Sequence, residues 1–261
     1  MPVGDLVIPE VHLVTDDGEP MDSPWHRAQM HLLIESIRHH WRDRTDYYVG
    51  GNMFIYYSSQ QAEQVARDIQ EGVRRAYRGP DFFVVKGVDG RKPRRAWVVW
   101  EEDGRYPDVI IELLSPTTVR EDTVRKKEIY ERIFRTPEYF WYDPDADELV
   151  GWRLRQGRYR RIRENPQGWL WSQELGLWIG RWDGEYLGEP ARWIRFYDPT
   201  GQLVLIAAEA ASQQAEMERQ RAEAERQRAD RLEAELARLK ARLAALGLAA
   251  EAPSTEPPKE S

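Results

Sequence analysis

The sequence predicts an α/β protein: a leading helix, a mixed β-sheet with a second helix against it, a β-rich extension and a long C-terminal helix. Three observations predict this. Met30, Leu33, Ile34, Ile37 and Trp41 recur at helical spacing. Short runs rich in β-branched and aromatic residues follow, bounded by glycine, proline and aspartate. From about Ala207 the composition changes abruptly to Ala, Glu, Arg and Gln, with apolar residues every seven positions.

In chain order, residues 1–23 are acidic, rich in proline and without periodicity, which reads as an extended arm. Trp25 to Trp41 reads as a helix, with Ser23 as N-cap and Pro24 at its first position. "YYVGGNMFIYY" (Tyr47 to Tyr57) reads as a strand that Gly50-Gly51 can bend. Gln60 to Tyr77 is polar and compatible with a helix. "DFFVVKGV" (Asp81 to Val88) and "AWVVWEE" (Ala96 to Glu102) read as strands either side of an Asp89-Gly90 turn. Val109 to Ser115 is one buried strand, Val119 to Phe134 a helix, and "YFWYDP" a strand stopped by Pro144. Glu148 to Val204 alternates strands and turns and is heavy in tryptophan. These elements divide into a domain over 24–206, its core at about 24–155 and its β-rich extension at 156–206. A helix or coiled coil follows over 207–247, then a disordered tail over 248–261. Ala215, Ala222, Ala229, Leu236 and Leu243, with Leu232, Leu239 and Leu246 three residues after the last three, form a heptad seam that is convincing in its C-terminal half. That seam expects a homo-oligomer of open number.

The composition narrows the function. With 41% hydrophobic residues in 261, the chain can bury a sizeable core. It has no cysteine, so disulfides and thiolate metal sites are out. No run is long and apolar enough for a membrane span and no signal peptide is expected, which predicts a cytoplasmic protein without membrane contact. The net charge of −7 does not advertise nucleic-acid binding, but the two ends hold the excess of acid, nine acids against one lysine, and the middle is near neutral.

Glu112 is the residue that resists a purely structural explanation, because a carboxylate interrupts an apolar strand. Side chains alternate across a strand, so Glu112 shares a face with Asp108, Ile110 and Leu114. Asp81 opens the "DFFVV" strand, and pairing within one sheet brings it toward Glu112. Two close carboxylates repel unless a proton or a cation intervenes, and an oxygen site suits Mg²⁺ or Mn²⁺. Asp122, Lys126 and Tyr130 are spaced by four on the next helix and share a face, which carries Lys126 toward the end of the Glu112 strand. Asp108 reads as a cap at the strand entry rather than a ligand. Glu35 on the first helix is a candidate third acid, with an exposed helix charge as its plainer reading.

"GPDFFVV", "YPDVIIELLSPTT", the Asp122–Lys126–Tyr130 spacing and "TPEYFWYDP" together resemble the Uma-type family, a large bacterial group taken for PD-(D/E)XK nucleases. The resemblance covers roughly Trp25 to Arg155. "NPQGWLWSQELGLWIG" and the Ala/Glu/Arg-rich C-terminal helix resemble one subgroup. The resemblance implies a restriction-endonuclease-like core, Asp81 and Glu112 as metal-binding acids, and Lys126 as the catalytic lysine. One departure stands out: the superfamily lysine falls two residues after the acid, where this chain has Leu114. A lysine moved to the next helix replaces it, and Lys126 fits that better than Lys127, which points to another face.

Two basic clusters, "GRKPRR" (Gly90 to Arg95) and "RLRQGRYRRIR" (Arg153 to Arg163), fit either phosphate contacts or hairpin surface charge. The tryptophans fit base stacking or, more commonly, core. No zinc motif or phosphate-binding glycine loop is present, and His26 reads as a helix-end surface histidine, with a place near the mouth of the site as the alternative. The sequence therefore expects a metal-dependent DNA endonuclease. The alternative is an inactive nuclease-like core carried by an assembling coiled coil.

Overall fold

The computed structural model describes residues 23–71, 79–115 and 121–246, with the side chains of 121–123 excepted. The expected N-terminal arm, the C-terminal tail, the far end of the Gln60–Tyr77 segment and the side chain of Asp122 lie outside the described residues. The chain divides into two compact units, 1–207 and 208–261.

In the first unit, helix α1 (Pro24–His40) begins where Ser23 caps it: the Ser23 Oγ accepts from the His26 N–H at 3.2 Å, and Pro24 lies at the start. The aromatic run after it divides at Gly50-Gly51 into β1 (Tyr47–Gly50) and β2 (Ile55–Tyr56), which join different sheets. Next come α2 (Ser59–Gln70), β3 (Phe82–Lys86) and β4 (Trp97–Val98). The strands either side of the Asp89-Gly90 turn do not pair with each other. Both edges of β3 are already taken, by β1 and by β5 (Val109–Leu113), so β4 pairs in parallel with β2 instead. The chain after β4 winds into a 3₁₀ turn, Val99–Glu101.

Helix α3 runs through three pieces, Glu121–Lys126, Lys127–Ile129 and Tyr130–Phe134, the outer two wound as π-helix. It ends at Arg135 in the left-handed conformation, where Thr136 N–H returns to Tyr130 C=O at 2.9 Å. Strands β6 (Glu138–Asp143), β7 (Glu148–Arg155) and β8 (Arg158–Arg161) follow, then β9 (Leu170–Ser172), β10 (Leu177–Tyr186) and β11 (Glu189–Tyr197).

The main sheet has the order β1-β3-β5-β6-β7-β8. Only β5 and β6 are parallel in it, and α3 supplies the crossover that a parallel pair requires. One face, carrying Val109, Ile111, Leu113, Phe140 and Tyr142, packs on α1 and on the antiparallel β11-β10-β9 sheet. The other, carrying Ile110, Leu114, Tyr139 and Trp141, packs on Tyr130 and Phe134 of α3. Gln29 fastens α1 to the edge strand β11: its fully buried amide donates to Ile194 C=O at 3.0 Å and accepts from Ile194 N–H at 2.8 Å.

The described residues of the second unit are almost entirely α4 (Ala207–Ala245), which has no buried residue. Leu232, Leu236, Leu239, Leu243 and Leu246 stand exposed along it. No helix among the described residues is long and apolar enough to cross a membrane.

Candidate active site

Strand β5 carries Glu112 on the face turned toward α3, and nothing of it reaches solvent. A buried carboxylate is costly unless it is hydrogen-bonded and charge-compensated. Here α3 supplies both. Lys126 Nζ lies 3.1 Å from Glu112 Oε2, and Tyr130 Oη donates to Oε1 at 2.6 Å. The four-residue spacing of Lys126 and Tyr130 thus brings one cation and one hydroxyl to the two oxygens of a single side chain. Lys127 lies elsewhere, its ammonium 4.5 Å from the Trp152 ring centroid.

Asp81 immediately precedes β3. The register pairs Phe82 with Ile111, so Asp81 falls opposite Glu112, one step beyond the last pair. Asp81 Oδ2 accepts from Leu113 N–H at 2.7 Å, and the Asp81 N–H makes a long contact of 3.4 Å with Glu112 Oε2. Two glycines permit this placement. A Cβ on Gly51 would overlap the Asp81 carbonyl, and one on Gly79 would overlap the Met53 backbone. Only glycine allows the 50–53 and 79–81 segments to lie back to back.

His26 contradicts its reading as a surface residue. It is 5% exposed, and its Nε2 lies 2.7 Å from the Leu113 carbonyl. A carbonyl only accepts, so Nε2 carries a proton, and Nδ1 lies 3.3 Å from Ser23 Oγ. One serine therefore caps the helix and contacts the ring of a histidine bonded next to Glu112. The cue in the sequence is the N-cap itself, which sets His26 in the first turn; the depth of that turn is not legible there.

The other acids fall away from Glu112. Asp108 sits at the opposite end of β5 and accepts from Lys86 N–H at 2.7 Å, tying β3 to β5 at the strand entry. Burial pushes its carboxyl above the usual aspartate range, against the pull of that hydrogen bond and of the Lys86 charge. Glu35 is exposed, and its Oε2 accepts from Tyr186 Oη at 3.0 Å. A cavity of about 380 Å³ opens beside Lys126 and Tyr130, walled by Tyr57, Gln61, Gln64 and Phe134. It gives the Lys126 side of the site a path to solvent.

A mixed sheet between α1 and α3, with an α3 crossover joining its one parallel pair, is a restriction-endonuclease-like fold. The chain belongs to the Uma2 family, described as "Putative restriction endonuclease", which matches residues 9–183. Among solved structures, a "putative nuclease belonging to DUF820" from Anabaena variabilis ATCC 29413 is similar. The identity is 14% and the TM-score 0.38, over 60% of this chain and 76% of that one. No curated protein matches the chain.

Proposed function

We propose that the protein is a metal-dependent endonuclease that hydrolyses phosphodiester bonds of DNA in the cytoplasm. The observation that carries this reading is the fully buried Glu112, met by Lys126 and Tyr130 and faced by Asp81 just before the neighbouring strand β3. A packing role does not call for a lysine and a carboxylate at the end of an apolar strand.

Asp81 and Glu112 are the residues that would hold Mg²⁺ or Mn²⁺. Among the described residues no group of three or more His, Cys, Asp and Glu is gathered for a metal. Two carboxylates nevertheless fit Mg²⁺, which takes one or two of them and completes its shell with water and substrate phosphate. Such an ion, when bound, neutralises phosphate charge and acidifies water. The chain's own residues do the rest. The Lys126 ammonium orients the attacking water and offsets charge that develops on the phosphate. Tyr130 O–H holds Glu112 in one rotamer. His26 pins the Leu113 carbonyl, so the end of β5 keeps its position while substrate enters.

The exposed leucine stripe of α4 supports a second element of the reading, self-association of the chain through that helix. Two copies present two sites, which suits cleavage of both strands of a duplex.

Supercoiled plasmid incubated with the full chain tests the activity. Nicked and linear products are expected with Mg²⁺ or Mn²⁺, and none with EDTA or with Glu112→Gln. Plasmid left intact by well-folded protein across divalent ions would instead favour an inactive nuclease-like interaction protein.

A further inference from the structure

The two basic clusters of the sequence have different fates. In the first, Lys92 and Arg94 both grip Glu102 at 2.7–2.8 Å, Arg94 stacks on Tyr48 and Trp97, and Arg91 pairs with Asp89. Those charges hold the local fold together. The second cluster lies on β7 and the edge strand β8. The register sets Arg153 opposite Arg160 and Arg155 opposite Arg158. Like charges directly opposite in a sheet are destabilising, and here two such pairs adjoin. Arg153 is compensated by Glu138, with Nε at 2.7 Å, and Arg158 and Arg161 make distant contacts with Glu131 and Glu148 at 4.0 and 3.7 Å. Arg155, Arg160 and Arg163 have no ion pair among the described residues, and all three are exposed.

These arginines line a cavity of about 530 Å³ whose lining includes one carboxylate, Glu164. Its other wall is aromatic. Trp171 of β9 and Trp178 of β10 are direct cross-strand partners, with ring centroids 5.0 Å apart, edge to face, and both remain half-buried. The groove therefore offers a row of uncompensated cations beside accessible indole rings.

We infer that the groove between β8 and the Trp171–Trp178 pair binds a single strand of nucleic acid, its phosphates on Arg155, Arg160 and Arg163 and a base against the indoles. A bare anion site would not need the tryptophans, and a duplex keeps its bases stacked and out of their reach. Single-stranded binding characteristically combines a basic track with aromatic platforms. The groove is separate from the candidate catalytic centre. Arg153 pairs with Glu138 and Glu138 with Val109, which puts the arginine ladder on the face opposite Glu112. β8 also lies three strands from β5, about 14 Å away. The inference rests on the nucleic-acid part of the proposed function and not on cleavage.

The test uses the full chain in EDTA and a fluorescein-labelled oligothymidylate, with affinity read by anisotropy across a salt series. Each phosphate contact contributes about 0.7 to the slope of log affinity against log salt for single strands. The variant Arg155→Ala/Arg160→Ala/Arg163→Ala should therefore lose about 2 from that slope, whereas Arg95→Ala should leave it unchanged. An abasic strand of equal length should bind roughly ten-fold more weakly than oligothymidylate, because it cannot stack. A triple variant with the wild-type slope would overturn the inference, leaving the arginines as a charged guard on an edge strand. Equal affinity for the abasic strand, or for a duplex of the same length, would overturn the base-binding half. Plasmid cleavage is scored separately, so an inactive catalytic centre and an empty groove give different results.

Discussion

At the scale of the residue, the Glu112–Lys126 pair ties chemistry to stability. Both side chains are almost wholly removed from water. Removing one partner of a buried pair leaves an uncompensated charge, at a cost of about 3–5 kcal/mol. Lys126→Ala should therefore lose plasmid cleavage and also unfold at a clearly lower temperature. Lys127→Ala gives up only a contact with Trp152, about 0.5–1 kcal/mol, and should keep its activity. The combination Lys126→Met with Glu112→Gln removes both charges, so its melting temperature should recover while cleavage stays absent. Calorimetry beside the cleavage assay checks this. Equal loss of activity from the two lysine substitutions would deny Lys126 its particular role.

At the scale of the element, Gln29 and Asp147 are two of the residues that join the β11-β10-β9 sheet to the rest of the first unit. Gln29→Leu keeps the volume but orphans the N–H and C=O of Ile194 on edge strand β11. About 1–3 kcal/mol per orphaned group is expected in urea denaturation. Asp147, in the turn between β6 and β7, accepts from Tyr142, Arg181 and Arg192 at 2.7–3.0 Å. Burial pushes its carboxyl up, but the hydrogen bonds from Arg192 and Tyr142 and the two guanidinium charges outweigh that and hold it below the usual range. A carboxyl with a lowered folded pKa stabilises the fold above its unfolded pKa, about 4, and loses that contribution as the pH falls through the folded value. Asp147→Asn should accordingly flatten the acid limb of the melting-temperature profile while lowering stability near neutral pH. A profile parallel to the wild type would remove Asp147 from the account.

At the scale of the whole molecule, the self-association proposed for α4 is a matter of mass. Light scattering on the full chain should give a multiple of 30.7 kDa, and deletion of residues 208–261 should return a monomer. A monomer before and after deletion would leave the leucine stripe without a second copy to cover it.

Local rules make much of this molecule legible in its amino-acid order. The periodicity of α1, its serine cap, the Val109–Leu113 strand and the abrupt start of α4 are short-range features, encoded by residues a few positions apart. The Asp81–Glu112–Lys126 set is legible for the same reason, as an acid inside an apolar strand and a lysine in helical phase with a tyrosine. What local sequence cannot encode is partnership between distant segments. Asp89-Gly90 looks like a hairpin turn, yet β3 has no edge left for β4. Two arginine clusters of similar composition differ because Glu102 meets one, while an edge strand and a tryptophan pair frame the other. His26 reads as a surface residue until β5 passes beneath it. Each of these depends on which backbone lies alongside which, and long-range packing alone decides that.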